Sequence, residues 1–155
     1  MTKCVWQIVY NIDDIKWKRG IFMFLSQLKP KEKELFLDLC MHAAKANEIF
    51  AEDEKEMIKS YCIEMQIDPP TKLEESVEKI VEMINSISDM KSKKIIILEL
   101  LGLVMVDKEY DIKEKEFIYQ VSDEIGIGRD TLEEITEKLK EYLHLCEELG
   151  ELILK

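Results

Sequence analysis

Residues 31–68 lie on residues 91–128 without a gap, at a constant offset of 60. Glu54-Lys55-Glu56 falls on Glu114-Lys115-Glu116, Ile58 on Ile118, Ile67 on Ile127 and Lys31 on Lys91. Phe50 matches Tyr110, and Asn47 matches Asp107. Apolar character agrees at Leu35/Ile95, Phe36/Ile96, Leu37/Ile97, Cys40/Leu100 and Ala44/Val104. Most other positions are not identical, and two amphipathic hairpins can resemble each other by chance, but an ungapped match this long argues against it. Two such hairpins can bury their apolar faces against each other about a pseudo-two-fold axis. The repeat therefore predicts an all-α bundle with two symmetry-related acidic loops.

Local signals supply the helices. Pro30 suits a first helical turn, where its missing N–H costs nothing, and apolar residues recur at helical spacing to about residue 46. A second helix is expected over 51–65, stopped by Pro69-Pro70. Thr71 with Glu74 reads as a capping box opening a third, amphipathic helix over 72–87. The stretch 93–106 is apolar from Ile95 on, apart from Glu99, and predicts a central buried helix; Ile95-Ile96-Ile97 leaves a buried strand as the alternative. Asp111 with Glu114 opens a helix to Ile125, which Gly126 and Gly128 end. Asp130 with Glu133 caps the last helix, whose stripe is Leu132, Ile135, Leu139, Leu143, Cys146 and Leu149. Upstream, residues 5–11 alternate as a short strand or arm, and 15–28 reads as a helix interrupted at Gly20. The expectation is about seven helices: residues 1–29 as a segment docking on the core, and 30–155 as the helical domain.

Composition agrees with this picture and narrows the partners. Only 5 Gly and 3 Pro in 155 residues leave little punctuation for many short strands. A hydrophobic fraction of 46% is too high for a disordered chain, and 35% charged residues is too high for a membrane protein. The net charge of -11 repels a phosphate backbone, and no local basic patch invites nucleic acid. The start, MTKCVWQIVYNIDD, lacks the long apolar run of a signal peptide, and no stretch approaches a membrane span. Cys4, Cys40, Cys62 and Cys146 form no CxxC pair, so free thiols in a reducing cytoplasm are expected.

At the two loops the chain resembles the TerB-like (tellurite-resistance) family, whose pattern is an apolar helix, Asp-Gly, a hydrophobic residue and a Glu opening the next helix. The second unit reads Val106-Asp107-Lys108-Glu109-Tyr110-Asp111-Ile112-Lys113-Glu114, and the first Ala46-Asn47-Glu48-Ile49-Phe50-Ala51-Glu52-Asp53-Glu54. The resemblance covers about 28–145 and implies a fold of about seven helices with two-fold character. It also implies a non-enzymatic, stress-response binding or scaffolding role, with protein partners and cation-binding residues at Asp107 and Glu114, and at Asn47 and Glu54. Lys108 and Glu48 replace the family's Gly, and Asn47 its first Asp.

The loop carboxylates Asp107, Glu109, Asp111 and Glu114 offer hard oxygens to Ca²⁺ or Mg²⁺. The loop is not an EF-hand: with Asp107 as the first position, Ile112 stands at the Gly position and Ile118 at the bidentate Glu position. A structural role competes, with Glu114 completing a cap and Asp107 bonding loop N–H groups. A zinc site from Cys40-Met41-His42 and His144-Leu145-Cys146 is excluded, because residues two apart on a helix diverge by about 200°; Cys40 and Cys146 read as core. Glu141-Tyr142-Leu143-His144 is half of a di-iron motif that needs two halves. No nucleophile motif or phosphate-binding loop is present, so the expectation is no enzyme. Trp6, Trp17, Phe22 and Phe24 crowd the first thirty residues as interface anchors or as docking residues, and a metal-free interaction or regulatory domain is the alternative function.

Overall fold

The computed structural model describes residues 24–46, 52–70, 75–105 and 112–155. Among the described residues six α-helices follow one another: α1 (Pro30–Ala46), α2 (Glu52–Met65), α3 (Val77–Ile87), α4 (Met90–Val104), α5 (Ile112–Glu124) and α6 (Arg129–Leu154). A 3-10 turn, Leu25–Gln27, precedes α1, and among the described residues there is no strand. The fold is all-α. The helix expected over 15–28 reaches the described residues only as this turn, and the alternating stretch 5–11 lies outside them.

Competing caps move three of the expected boundaries. α3 begins at Val77 rather than near residue 72, because Ser76 is its N-cap and accepts the Lys79 N–H at 3.2 Å. The expected box of Thr71 and Glu74 lies outside the described residues. α4 begins at Met90, three residues earlier than expected, because Asp89 accepts the Ser92 N–H at 2.8 Å. α6 begins at Arg129 after Gly128, which offers no side-chain cap. Asp130 is therefore not the cap; it sits in the first turn, where its charge meets the positive end of the helix dipole. Gly150 is buried inside α6, which runs on to Leu154.

α1 and α4 pack against each other at the centre. Both α2 and α5 touch each of them, while α3 packs on α1 and α6 on α4. The Leu25–Gln27 turn packs on α2 and α4, burying Leu25 and Leu28. α4 is the central helix expected from its apolar run: Ile96, Ile97, Leu100, Leu101 and Leu103 are wholly buried. Burial of such a side chain contributes about 1.5–3 kcal/mol, so α4 is a principal contributor to the core.

Several features recur 60 residues apart. α1 and α4 start at Pro30 and Met90, and α2 and α5 at Glu52 and Ile112. From 31 to 40, each residue is as buried, half-buried or exposed as its counterpart in 91–100. α2 and α5 also stop in the same way. Gln66 (φ 57) and Gly126 (φ 86) take the left-handed conformation. The next N–H reaches back five residues, from Ile67 to Cys62 O and from Ile127 to Ser122 O.

Candidate functional site

Of the four residues expected to hold a cation, Glu54 and Glu114 are described, and both are buried, at 2% and 1% exposure. Each is the third residue of its helix, α2 or α5. Asn47 and Asp107 lie outside the described residues, as do Phe50, Tyr110 and Asp111, so the expected convergence of Asp107 with Glu114 falls there too. Among the described residues no three His, Cys, Asp or Glu side chains group as metal ligands. The thiol–imidazole pairs are apart in environment as well as direction. Cys40 is buried in the core, whereas Cys146, expected there, is only half-buried. His42 Nε2 lies 2.9 Å from Glu75 O, and His144 Nε2 lies 3.2 Å from Glu148 on the exposed side of α6.

A polar centre sits inside the bundle at Glu99, the one charge in the apolar run of α4. Glu99 is wholly buried, and its Oε1 accepts the Phe24 N–H at 3.2 Å. One turn of chain thereby anchors the segment before α1 onto α4. The Tyr61 hydroxyl donates to the Glu99 carbonyl oxygen at 2.9 Å, and the Tyr61 ring meets Phe36 edge-on at 5.3 Å. Burial first, and the Glu99 charge second, push the Tyr61 hydroxyl well above its ordinary range. Burial, then Cys62 and Glu99, raise the Cys40 thiol in the same way, which removes it as a nucleophile. Tyr142 on α6 is pushed up to about 12 by burial, the neighbouring Cys146 and Glu99. These groups are thus held in their neutral forms and act as donors and packing surface rather than as acids or bases.

Beside this centre an apolar groove of about 720 Å³ opens to the surface between α4 and α6. Its floor is Phe24, Ile95, Leu98, Leu139 and Tyr142. Lys91, Lys94 and Lys138 stand on its rim with Glu134, and Lys138 pairs with Glu141 at 3.0 Å, so the local excess of positive charge lies on the α4 side of a chain of net charge -11. Met90, 46% exposed, extends the apolar wall. Sequence reading placed Leu139 and Phe24 as apolar but did not find the groove. Its walls come from three separate stretches of chain, and its rim lysines carry no pattern of their own.

Comparison with known proteins adds no relative: no family model, no curated protein and no solved structure matches this chain.

Proposed function

We propose that this chain is a non-enzymatic, TerB-like helical module of two like hairpin units, a stress-linked binding or scaffolding protein of the cytoplasm that works through protein contacts. The shared helix starts, the shared burial pattern and the shared left-handed stops at Gln66 and Gly126 support the two units. So does a contact between counterparts: Ser92 Oγ donates to Glu32 Oε2 at 3.3 Å, both residues being buried. Residues at equivalent positions can touch only near an axis that relates the units.

The observation that carries the binding reading is the groove. Its apolar floor favours the apolar stripe of a helix, and the rim lysines, Lys91 and Lys94 above all, favour acidic flanks on that helix. The fitting partner is an acidic amphipathic helix. The test is a titration of labelled amphipathic peptides, one flanked by Glu and one by Lys, at protein dilution. The Glu peptide should bind and the Lys peptide should not. Lys91→Glu with Lys94→Glu, both exposed and remote from the core, should reverse that order. Equal binding of both peptides, or of neither, removes the reading.

A second reading rests on Glu54 and Glu114. Two buried carboxylates at matching positions need N–H donors or a cation to offset their desolvation. If a divalent cation fills that role, the second loop should dominate, since Asp107 carries a charge where Asn47 carries none. Millimolar Ca²⁺ or Mg²⁺ should then raise the melting temperature over that in EDTA, and Asp107→Asn should abolish the difference. A melt indifferent to metal leaves Glu54 and Glu114 as braces of the loop.

A further inference from the structure

α6 carries two apolar seams. Leu132 and Leu139, with Leu143 beside them, seat it on the bundle. A second series, Ile135, Lys138, Tyr142, Leu145, Leu149 and Leu152, alternates three and four residues apart, the spacing of a helix seam that packs against another helix. Its first three members line the groove. The last three continue the same line and are exposed at 53%, 47% and 71%, with Ile153 beside them at 70%. Scattered exposed leucines are ordinary, but three in register with an apolar groove, with Ile153 beside them, form one continuous surface.

The two halves of this surface differ in charge. The groove half has Lys91, Lys94 and Lys138 beside Glu134, with Lys138 paired to Glu141 at 3.0 Å, whereas the distal half is edged by Glu141 and Glu148 and carries Glu147 and Glu151 farther round the helix. The distal half of α6 is therefore itself an acidic amphipathic helix, the partner chemistry that the groove favours. We infer that the occupant of the groove is the distal half of α6 from a second copy of this chain, the two helices running antiparallel. In that arrangement Leu145, Leu149 and Leu152 pack over the partner's Tyr142, Lys138 stem and Ile135, and the reciprocal contacts form at once. Each acidic half lies on a basic half, and Lys155 comes near the partner's Glu134. A parallel pair sets acid on acid and leaves both grooves empty. The inference rests on the binding reading of the groove and names its partner.

The experiment is the mass of the full chain by light scattering across a dilution series. Twice the chain mass is expected at high concentration. Leu145→Glu and Leu149→Glu, both on exposed positions, should each return the monomer with an unchanged circular dichroism spectrum. Orientation is read with Cys4 and Cys146 replaced by Ser and a single new thiol added. A short bifunctional thiol reagent should link Leu145→Cys into dimers and leave Leu152→Cys monomeric. A monomer at every concentration, a dimer indifferent to both Glu variants, or linkage at both positions overturns the inference. A monomer that still binds the Glu-flanked peptide leaves the groove's function standing without self-pairing; one that binds neither peptide removes both.

Discussion

The helix stops at Gln66 and Gly126 use the same backbone conformation with different residues, so they allow a reciprocal test. A residue with a Cβ in the left-handed region carries a penalty of roughly 1–2 kcal/mol, which glycine avoids. Glycine in turn loses more freedom on folding, which takes back about 0.5–1 kcal/mol. The Gln66 side chain is exposed, so its removal forfeits little contact. Gln66→Gly should therefore stabilise the fold by about 0.5–1 kcal/mol. Gly126→Ala runs the other way. A Cβ built at Gly126 meets nothing within 4 Å, so no steric clash adds to the backbone term. The expected loss is about 1 kcal/mol. In a chain of this length 1 kcal/mol moves the melting temperature by roughly 2–4 °C. Thermal melting followed by far-ultraviolet circular dichroism resolves shifts of that size. The two sites end different helices, so their effects in the double variant should add. A destabilising Gln66→Gly, or a neutral Gly126→Ala, would show that the stops are set by packing and not by the left-handed residue.

Two further outcomes follow from the half-buried carboxyl of Glu64 and the buried carboxyl of Glu32. Burial raises the Glu64 carboxyl from 4.5 to about 7, against the opposing pull of the Ser26 N–H and Lys33. The unfolded chain ionises Glu64 near 4.5, so the stability this group contributes is whole below that pH and is lost as pH rises through about 7. Glu64→Gln should melt above wild type beyond that pH and converge with it below 4.5; a difference that does not vary with pH counts against the assignment. At the start of α1, Glu32 Oε2 accepts the Lys29 N–H at 2.7 Å and the Ser92 hydroxyl at 3.3 Å. Glu32→Ala should cost about 1–3 kcal/mol in denaturant unfolding. Glu32→Gln keeps an acceptor oxygen and should cost less, and equal losses from the two would point to cavity formation instead.

The backbone plan was legible because it rests on periodicity. The apolar run of α4 announced a central helix, and Gly126 announced a stop. Boundaries were harder, since several residues near each start were fit to cap. Ser76 and Thr71 both have the chemistry of an N-cap, and only packing decides where α3 begins. Asp89 went unread because the apolar run that marks α4 starts only at Ile95, well inside the helix that begins at Met90. The candidate site was least legible. A groove made by Phe24, α4 and α6 has no sequence period, and in α6 two interleaved seams read as one stripe. Leu149, assigned to the core on that stripe, is 47% exposed because it belongs to the second seam.

That interleaving bears on where function resides. Helix starts and burial recur at an offset of 60, but the chemistry does not: buried Glu99 stands 60 residues after buried Leu39, and buried Tyr61 60 residues before buried Val121. The outer helices differ too. α3 ends at Ile87 and α4 starts at Met90, whereas α6 runs 26 residues without a break. A matched pair of hairpins would present matched surfaces, and selection for packing alone gives no reason to break the match. The polar centre at Glu99, the lysine rim and the long second seam all gather on the α4–α6 side. A site of interaction is therefore expected where the two halves differ, and the variants at Lys91, Lys94, Leu145 and Leu149 probe that side without touching the core.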